Sequence, residues 1–306
     1  MNLNHLRYFL TVASTGSFSR AAGQEGVTQP TVSSGVMELE RALGVKLFNR
    51  GSRQVALTME GRELVNYAMQ IQDLVAEAED RLKRGEVLPG ERFQFGATDA
   101  VVTYLLPEIL RGYTREYPGV ELSVHVAPSK SLVDDVLMGR SEFALVTLPV
   151  SHSALQTLQI YRDSMPLVVG PTHPLVDSGS VSLTEVMEHP LILFQADSVS
   201  RKILDEGFAE AGVSPGVMME MGSPEAMRKL VEAGVGISFL PFLTVEESVK
   251  TGALKVVDVE GMNFNREVGV AWRFKRYFSP AVRYLMEAIF ERYGGKEAWM
   301  KRGFEN

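Results

Sequence analysis

Between residues 64 and 82, apolar side chains recur at alternating steps of four and three: Leu64, Ala68, Ile71, Val75, Ala78 and Leu82. Such a stripe predicts one long helix with an a/d seam sustained over nearly three heptads. Its flanks carry Glu63, Asp73, Glu77, Asp80, Arg81 and Lys83. Thr58 is placed to cap the helix, and Gly85 through Gly90, with Pro89, reads as a hinge after it. The pattern differs on the two sides. Short helical repeats precede the seam, whereas from Phe93 onward short apolar strands alternate with amphipathic helices. The chain therefore divides into a small helical domain (1–58), a connecting helix and hinge (59–88) and an α/β domain (89–306).

The segment before the seam reads as three helices and a hairpin. Leu3, Leu6, Leu10 and Ala13 fall at helical spacing beside Phe9 and Val12, and Gly16 ends this helix. Ser17 can cap a short second helix from Phe18 to Gln24, in which Ala21 and Ala22 allow close approach of a neighbour. Gly26 suits the tight connection that follows. Thr28 is expected to cap a third helix, with Pro30 tolerated in its first turn and Gly44 closing it. Val32, Val36, Leu39 and Leu43 share one face; Gln29, Thr31, Ser33, Ser34, Met37 and Arg41 lie opposite. A helix pinned by one face and polar on the other is the layout of a recognition helix. The candidate DNA contacts are Ser17, Phe18, Ser19, Arg20, Thr28, Gln29, Pro30, Thr31, Ser33, Ser34 and Met37. Residues 45–50 and 54–57 read as two strands, with Arg50 and Arg53 flanking their turn, placed to grip the sugar-phosphate backbone. Charge agrees with this. The net charge is −7, yet residues 1–58 hold six basic against three acidic side chains, +3, leaving −10 for the rest.

The residues Leu6-Arg7-Tyr8-Phe9-Leu10-Thr11-Val12-Ala13, Gly16-Ser17-Phe18-Ser19-Arg20-Ala21-Ala22, Thr28-Gln29-Pro30-Thr31-Val32-Ser33, Leu39-Glu40, Leu43-Gly44-Val45, Leu47-Phe48-Asn49-Arg50 and Leu57-Thr58-Met59-Glu60-Gly61 closely resemble the signature of LysR-type transcriptional regulators. The resemblance implies a winged helix-turn-helix reader, a helix that joins two copies, and an effector-binding domain. Two departures stand out: Glu25 occupies a position where the family usually has leucine, and Gly35 one where it often has a long polar side chain. Gly35 costs the helix about 1 kcal/mol relative to alanine, and it is expected to remove a side chain that could touch DNA.

Beyond the hinge, strands are predicted at Arg92–Gly96, Val120–Val126, Phe143–Val146, Pro166–Val169, Leu191–Phe194, Val217–Met221, Gly236–Leu240, Lys255–Val257 and Glu267–Trp272. Helices are predicted at Val101–Glu116, Leu132–Met138, Arg201–Ala211, Pro224–Ala233 and Pro280–Arg292. The layout is similar to the two-lobed, periplasmic-binding-protein-like effector domain of the LysR type. Tyr104-Leu105-Leu106-Pro107, Tyr117-Pro118-Gly119-Val120 and Val231-Glu232-Ala233-Gly234-Val235-Gly236-Ile237 carry this likeness. By that analogy lobe one is 91–162 plus 268–306 and lobe two is 163–267. Ligands in such folds bind where strand ends meet helix starts. The candidates are Thr98, Asp99 and Ala100, then Ser129, Lys130 and Ser131, then Thr147 in lobe one, with Ser198, Ser200 and Ser223 in lobe two. Each hydroxyl could equally be a plain helix cap. Lys130 and Arg201 favour an anionic ligand, whereas Asp99, Asp197 and Glu225 oppose one. The family often has threonine where Ala100 stands and glycine where Val199 stands.

The chain has no cysteine, which removes disulfides, thiolate metal sites and cysteine redox chemistry. Its five histidines show no paired spacing, so neither a metal nor a cofactor is expected. No apolar run approaches the ~20 residues of a membrane helix, and residues 1–7 do not read as a signal peptide, so a cytoplasmic protein is expected. A solute-binding protein would need that signal and would not need the arginine-flanked hairpin. An enzyme would need a paired nucleophile and base or a phosphate loop, and the lone Gly234-Val235-Gly236 is too weak to indicate nucleotide binding. The expected partners are double-stranded promoter DNA, a second copy of the chain in a dimer or dimer of dimers, a small-molecule effector of anionic character, and RNA polymerase as a further candidate, with no membrane.

Overall fold

The computed structural model describes residues 2–49, 55–82, 90–295 and 297–299. Helices α1 (Leu3–Thr15), α2 (Phe18–Glu25) and α3 (Gln29–Leu43) stop at Gly16, Gly26 and Gly44, whose φ angles are 63°, 65° and 72°. Glycine takes that left-handed conformation without a Cβ clash. The Ser17 hydroxyl caps α2 by accepting the Arg20 amide at 3.3 Å. Thr28 does not cap α3 as its position predicts. Pro30 has no amide to offer, the Thr31 amide already donates to the Thr28 carbonyl at 3.0 Å, and the Thr28 hydroxyl pairs instead with Thr31 Oγ1 at 2.8 Å.

Leu6, Phe9 and Val12 of α1, Ala21 and Ala22 of α2, and Val32, Val36 and Leu39 of α3 close one core. Leu43, expected on that inner face, is 39% exposed at the last position of the helix. Two short antiparallel strands, β1 (Phe48–Asn49) and β2 (Ala56–Leu57), add Phe48 to the same core. Thr58 accepts the Gly61 amide at 2.9 Å and so caps the long α4 (Met59–Leu82). Val65, Ala68 and Met69 of α4 are buried against the first domain. The predicted stripe is therefore split: Leu64, Ala68 and Ile71 pack into the core of the first domain instead of facing a second copy, whereas Leu82 stays exposed, as do Tyr67 and Leu74 from outside the stripe.

The remaining elements are β3 (Arg92–Ala97), α5 (Asp99–Tyr104), α6 (Pro107–Glu116), β4 (Glu121–Val126), α7 (Ser129–Leu137), β5 (Phe143–Leu148), β6 (Leu155–Ser164), β7 (Leu167–Val169), β8 (Ser180–Val181), α8 (Leu183–Val186), β9 (Leu191–Phe194), α9 (Val199–Glu210), β10 (Val217–Met221), α10 (Pro224–Glu232), β11 (Ser238–Phe239), α11 (Phe242–Lys250), β12 (Lys255–Val259), β13 (Asn265–Arg273) and α12 (Pro280–Tyr293). One sheet has the order β4-β3-β5-β13-β6, with β3 parallel to β4 and β5 and with β13 antiparallel to both its neighbours. A second has the order β11-β7-β12-β8, flanked by the parallel pair β9 and β10. Each has its own core, one built around Phe95, Phe143, Trp272 and Phe290 and the other around Val168, Ile192, Phe208 and Phe239. Among the described residues, the chain passes between them along β6 and β13.

The single helix predicted at Val101–Glu116 is two. Pro107 lacks an amide and its ring would strike the carbonyl four residues back, so α5 ends at Tyr104 and α6 restarts at Pro107. Strands β6 and β8 and helices α8 and α11 are elements beyond those predicted.

On the far side of the five-stranded sheet, Asp73 of α4 is buried between two arginines. Arg273 Nη2 donates to it at 2.9 Å, Arg276 also pairs with it, and Arg276 in turn holds Glu142 with contacts of 2.7 and 2.8 Å. The long helix is thus fastened to the end of β13.

Candidate functional site

The first surface is the outer edge of α3. Thr28, Gln29, Pro30, Thr31, Ser34 and Met37 are exposed along it, Ser33 is half-buried, and Val32, Val36 and Leu39 are pinned beneath. Ser19 Oγ reaches Gln29 Oε1 at 3.2 Å, so α2 braces the start of α3. Ser19 and Arg20 are exposed, whereas Ser17 serves as a cap and Phe18 packs edge-on against Phe48 at 5.7 Å. Arg50 and Arg53 lie outside the described residues, as does most of the expected hinge at 85–90.

Both departures from the family pattern have structural reasons. Glu25 accepts Arg7 Nε at 2.7 Å and the Thr11 hydroxyl at 2.6 Å, so a polar clasp joins α1 to α2 where an apolar side chain would pack. Gly35 does not face DNA: it is buried, and a Cβ there would stand 2.8 Å from Tyr8 Cδ2 and 3.2 Å from His5 Cδ2. The missing side chain lets α1 approach α3. Beneath the hairpin, Glu40 is 3% exposed. Burial alone would raise its carboxyl, but Lys46 at 2.8 Å and the Leu47 amide at 3.0 Å outweigh that and hold it below its ordinary value.

The second surface is a cleft of about 480 Å³ between the two sheets. Thr98, Asp99, Ala100, Ser129, Lys130 and Thr147 line it from one side, and Ser198 and Ser200 from the other. Two expected members are absent. Ser131 is exposed on the outer side of α7, one helical step off the wall. Ser223 is drawn away to bridge the lobes, donating to Asp99 Oδ2 at 3.0 Å while capping α10. The hydroxyls divide by role. Ser198 caps α9 through the Arg201 amide at 3.1 Å, and Ser129 accepts the Thr147 amide at 3.0 Å. Thr98 Oγ1 is buried with no partner, although Thr98 stands at the start of α5.

The charged groups also sort themselves. Arg201 is not available to a ligand: it donates to the Phe194 carbonyl at 2.9 Å, to Glu220 at 2.7 Å and to Asp205 at 2.8 Å. Its burial would lower the guanidinium, but those carboxylates outweigh it and hold it above its usual value. Glu225 faces Tyr104 Oη, 2.5 Å away across the lobes, and Arg228 holds its carboxyl below the ordinary range. Burial and then Glu225 push the Tyr104 hydroxyl up to about 12. Lys130 remains on the cleft wall, exposed.

Lys202, Gln195, Ser151 and Arg266 line the cleft in addition to the predicted set. Lys202 follows Ser200 by two residues at a helix start, a placement legible in sequence. Arg266 has no such signal, because its partner Asp163 is 103 positions away. Among the described residues, no group of three or more metal-ligating side chains forms, and no helix is long and apolar enough to cross a membrane.

Comparison with known proteins covers both parts of the chain. Residues 3–62 match the family described as bacterial regulatory helix-turn-helix protein, lysR family, and residues 87–294 match the LysR substrate binding domain. The chain is 30% identical over 303 residues to the HTH-type transcriptional regulator CfxR of Cupriavidus necator, covering 96% of this chain and 95% of that one. It is 27% identical over 297 residues to a probable RuBisCO transcriptional regulator of Trichormus variabilis, covering 95% and 88% respectively. A full-length single-residue variant of OxyR from Pseudomonas aeruginosa superposes with a TM-score of 0.78 at 26% identity, over 95% of each chain. With a helix-turn-helix reader at one end and a two-lobed effector-binding domain at the other, the chain is no enzyme but a member of the LysR family of bacterial transcriptional regulators.

Proposed function

We propose that this regulator reads pseudo-palindromic promoter DNA as a homodimer or dimer of dimers, and that a small molecule in the cleft between the lobes controls it. The exposed edge of α3 carries the reading. Gln29, Thr31, Ser34 and Met37 project from a helix whose opposite side is locked in the core, which is what a major-groove reader requires. Ser19 and Arg20, with Arg50 and Arg53, which the sequence pattern puts beside the expected turn, supply phosphate contacts. The exposed side chains Tyr67, Leu74 and Leu82 of α4 favour a second copy at that face, and a dimer adds a second half-site. The working division is reader 1–58, connector 59–88 and effector domain 89–306, acting in the cytoplasm with RNA polymerase as the partner at the promoter. Ligand entry shifts the balance of lobe positions only to the extent that it binds one better than the other.

The test is gel retardation across a genomic fragment library at low salt, followed by footprinting. A preferred site that Gln29→Ala or Thr31→Ala abolishes supports the reading; no preferred site, with or without metabolites, ends it. Removing Arg50 or Arg53 should weaken binding to all sequences alike and lower the salt slope by about one.

A further inference from the structure

We infer that Arg266 is the anchor for an anionic group of the effector, its guanidinium shared between Asp163 and the ligand. The inference rests on the effector occupying the cleft. Arg266 stands on β13 directly opposite Asp163 on β6, the two strands that join the lobes. Both side chains are almost fully buried, at 4% and 1% exposed. Their pairing is lopsided. Arg266 Nε and Nη2 both donate to Asp163 Oδ2, at 3.2 and 3.0 Å, while Asp163 Oδ1 accepts the Leu243 amide at 3.2 Å. Among the described residues, Asp163 accepts these three hydrogen bonds, while Arg266 Nη1 makes none. Neither is it among the sealed polar atoms of the described residues, which are Thr98 Oγ1, Thr244 Oγ1 and Trp299 Nε1. Arg266 forms part of the cleft wall, and Nη1 is the edge of its guanidinium left to meet a ligand there. A buried guanidinium with one unpaired edge is costly unless something accepts from it, and a compact oxyanion does so with the shortest and strongest bonds.

Thr98 Oγ1 is a second unpartnered polar atom on the same wall. Lys130 and Lys202 stand exposed on the cleft against Asp99 and Asp197, and Asp163 offsets Arg266. The lining is therefore close to neutral, which suits a singly charged carboxylate better than a phosphate dianion. The cleft volume lies toward the small end of ligand pockets, about 300–1,000 Å³, and so selects a compact molecule.

The test is a thermal-shift and calorimetric screen of the full-length protein with small mono- and dicarboxylates and with inorganic phosphate. Carboxylates should stabilise the wild type more than phosphate does. Asp163→Asn releases the guanidinium from its charged partner and should tighten binding of the best carboxylate about tenfold. Arg266→Gln combined with Asp163→Asn avoids a stranded buried charge and should abolish the response. If the double variant does not fold, the direction of change in Asp163→Asn alone decides: weaker or unchanged binding overturns the inference. A response kept in the double variant but lost in Thr98→Val removes Arg266 and leaves the cleft reading standing. A response kept in both removes the cleft reading. A wild type that answers to no carboxylate, or to phosphate better, also overturns it.

Discussion

Replacing Asp73 by alanine should loosen α4 from the effector domain without unfolding either part. The Asp73 carboxylate is 6% exposed, Arg273 is 8% exposed, and they meet at 2.9 Å. Removing one member of a buried pair generally costs about 3–5 kcal/mol, because the other charge is left without compensation. Here the lower end applies. Arg276 keeps Glu142, with which it makes three contacts, and Glu142 also lies near enough to offset part of the charge left on Arg273. About 3 kcal/mol corresponds to a shift of roughly a hundredfold in the equilibrium between docked and released helix. Hydrogen exchange read by mass spectrometry is the direct assay. Amides in the second half of α4 should exchange faster, up to that factor, while those of β3 and β5 keep their wild-type rates. Adding Arg273→Met should recover most of the loss, since replacing both partners of a buried pair by apolar groups is close to neutral. Unchanged exchange along α4 in Asp73→Ala, or a double variant that is worse than the single one, would refute the reasoning.

The Gly35 contact makes a second prediction. Gly35→Gln gains about 1 kcal/mol of helix propensity but forces Tyr8 to move at a cost of about 1–3 kcal/mol, so denaturant unfolding should show a net loss and DNA affinity should not rise; a stabilised variant would contradict the packing. A third concerns acid. His173, half-buried and in ring contact with His189 at 4.6 Å, has its pKa lowered from 6.5 by burial first and by His189 second. The native state thus excludes a proton that the unfolded chain accepts, so stability present at neutral pH is lost as pH falls through about 6.5 toward the folded value. His173→Asn, which can still accept the Leu175 amide, should flatten the dependence of Tm on pH across that window, and an unaltered slope would acquit His173.

Much of this was legible in the sequence where the signal is local. The stops at Gly16, Gly26 and Gly44 need only one residue's backbone freedom, and the inner stripe Val32, Val36 and Leu39 needs only helical periodicity. The strand ends that hold Thr98, Ser129 and Thr147 followed from alternating elements in the same way. What escaped depends on distant partners. Strand β6 reads LQTLQIYRDS, without the apolar run of a buried strand, because most of its side chains are half-buried or exposed and it is held by its ladder to β13. Arg201 looked like a ligand contact until Glu220 and Asp205 claimed it. Arg266 carries no local signal at all, because nothing near it in the chain announces Asp163. Gly35 shows a subtler limit: periodicity places a residue on a helix face but does not say which neighbour comes close to it.

The position of β13 has a consequence for how the chain is made. It is the last strand in sequence, yet it lies inside its sheet, with Glu267 opposite both Leu148 and Arg162. During synthesis β5 and β6 wait with open edges while everything from Leu167 to Val259 leaves the ribosome and assembles its own sheet. Unpaired edges of this kind invite pairing with other chains, and closure over such long sequence separations is slow. A polypeptide stopped just before Asn265 therefore has a completed second lobe hanging from an unfinished first one.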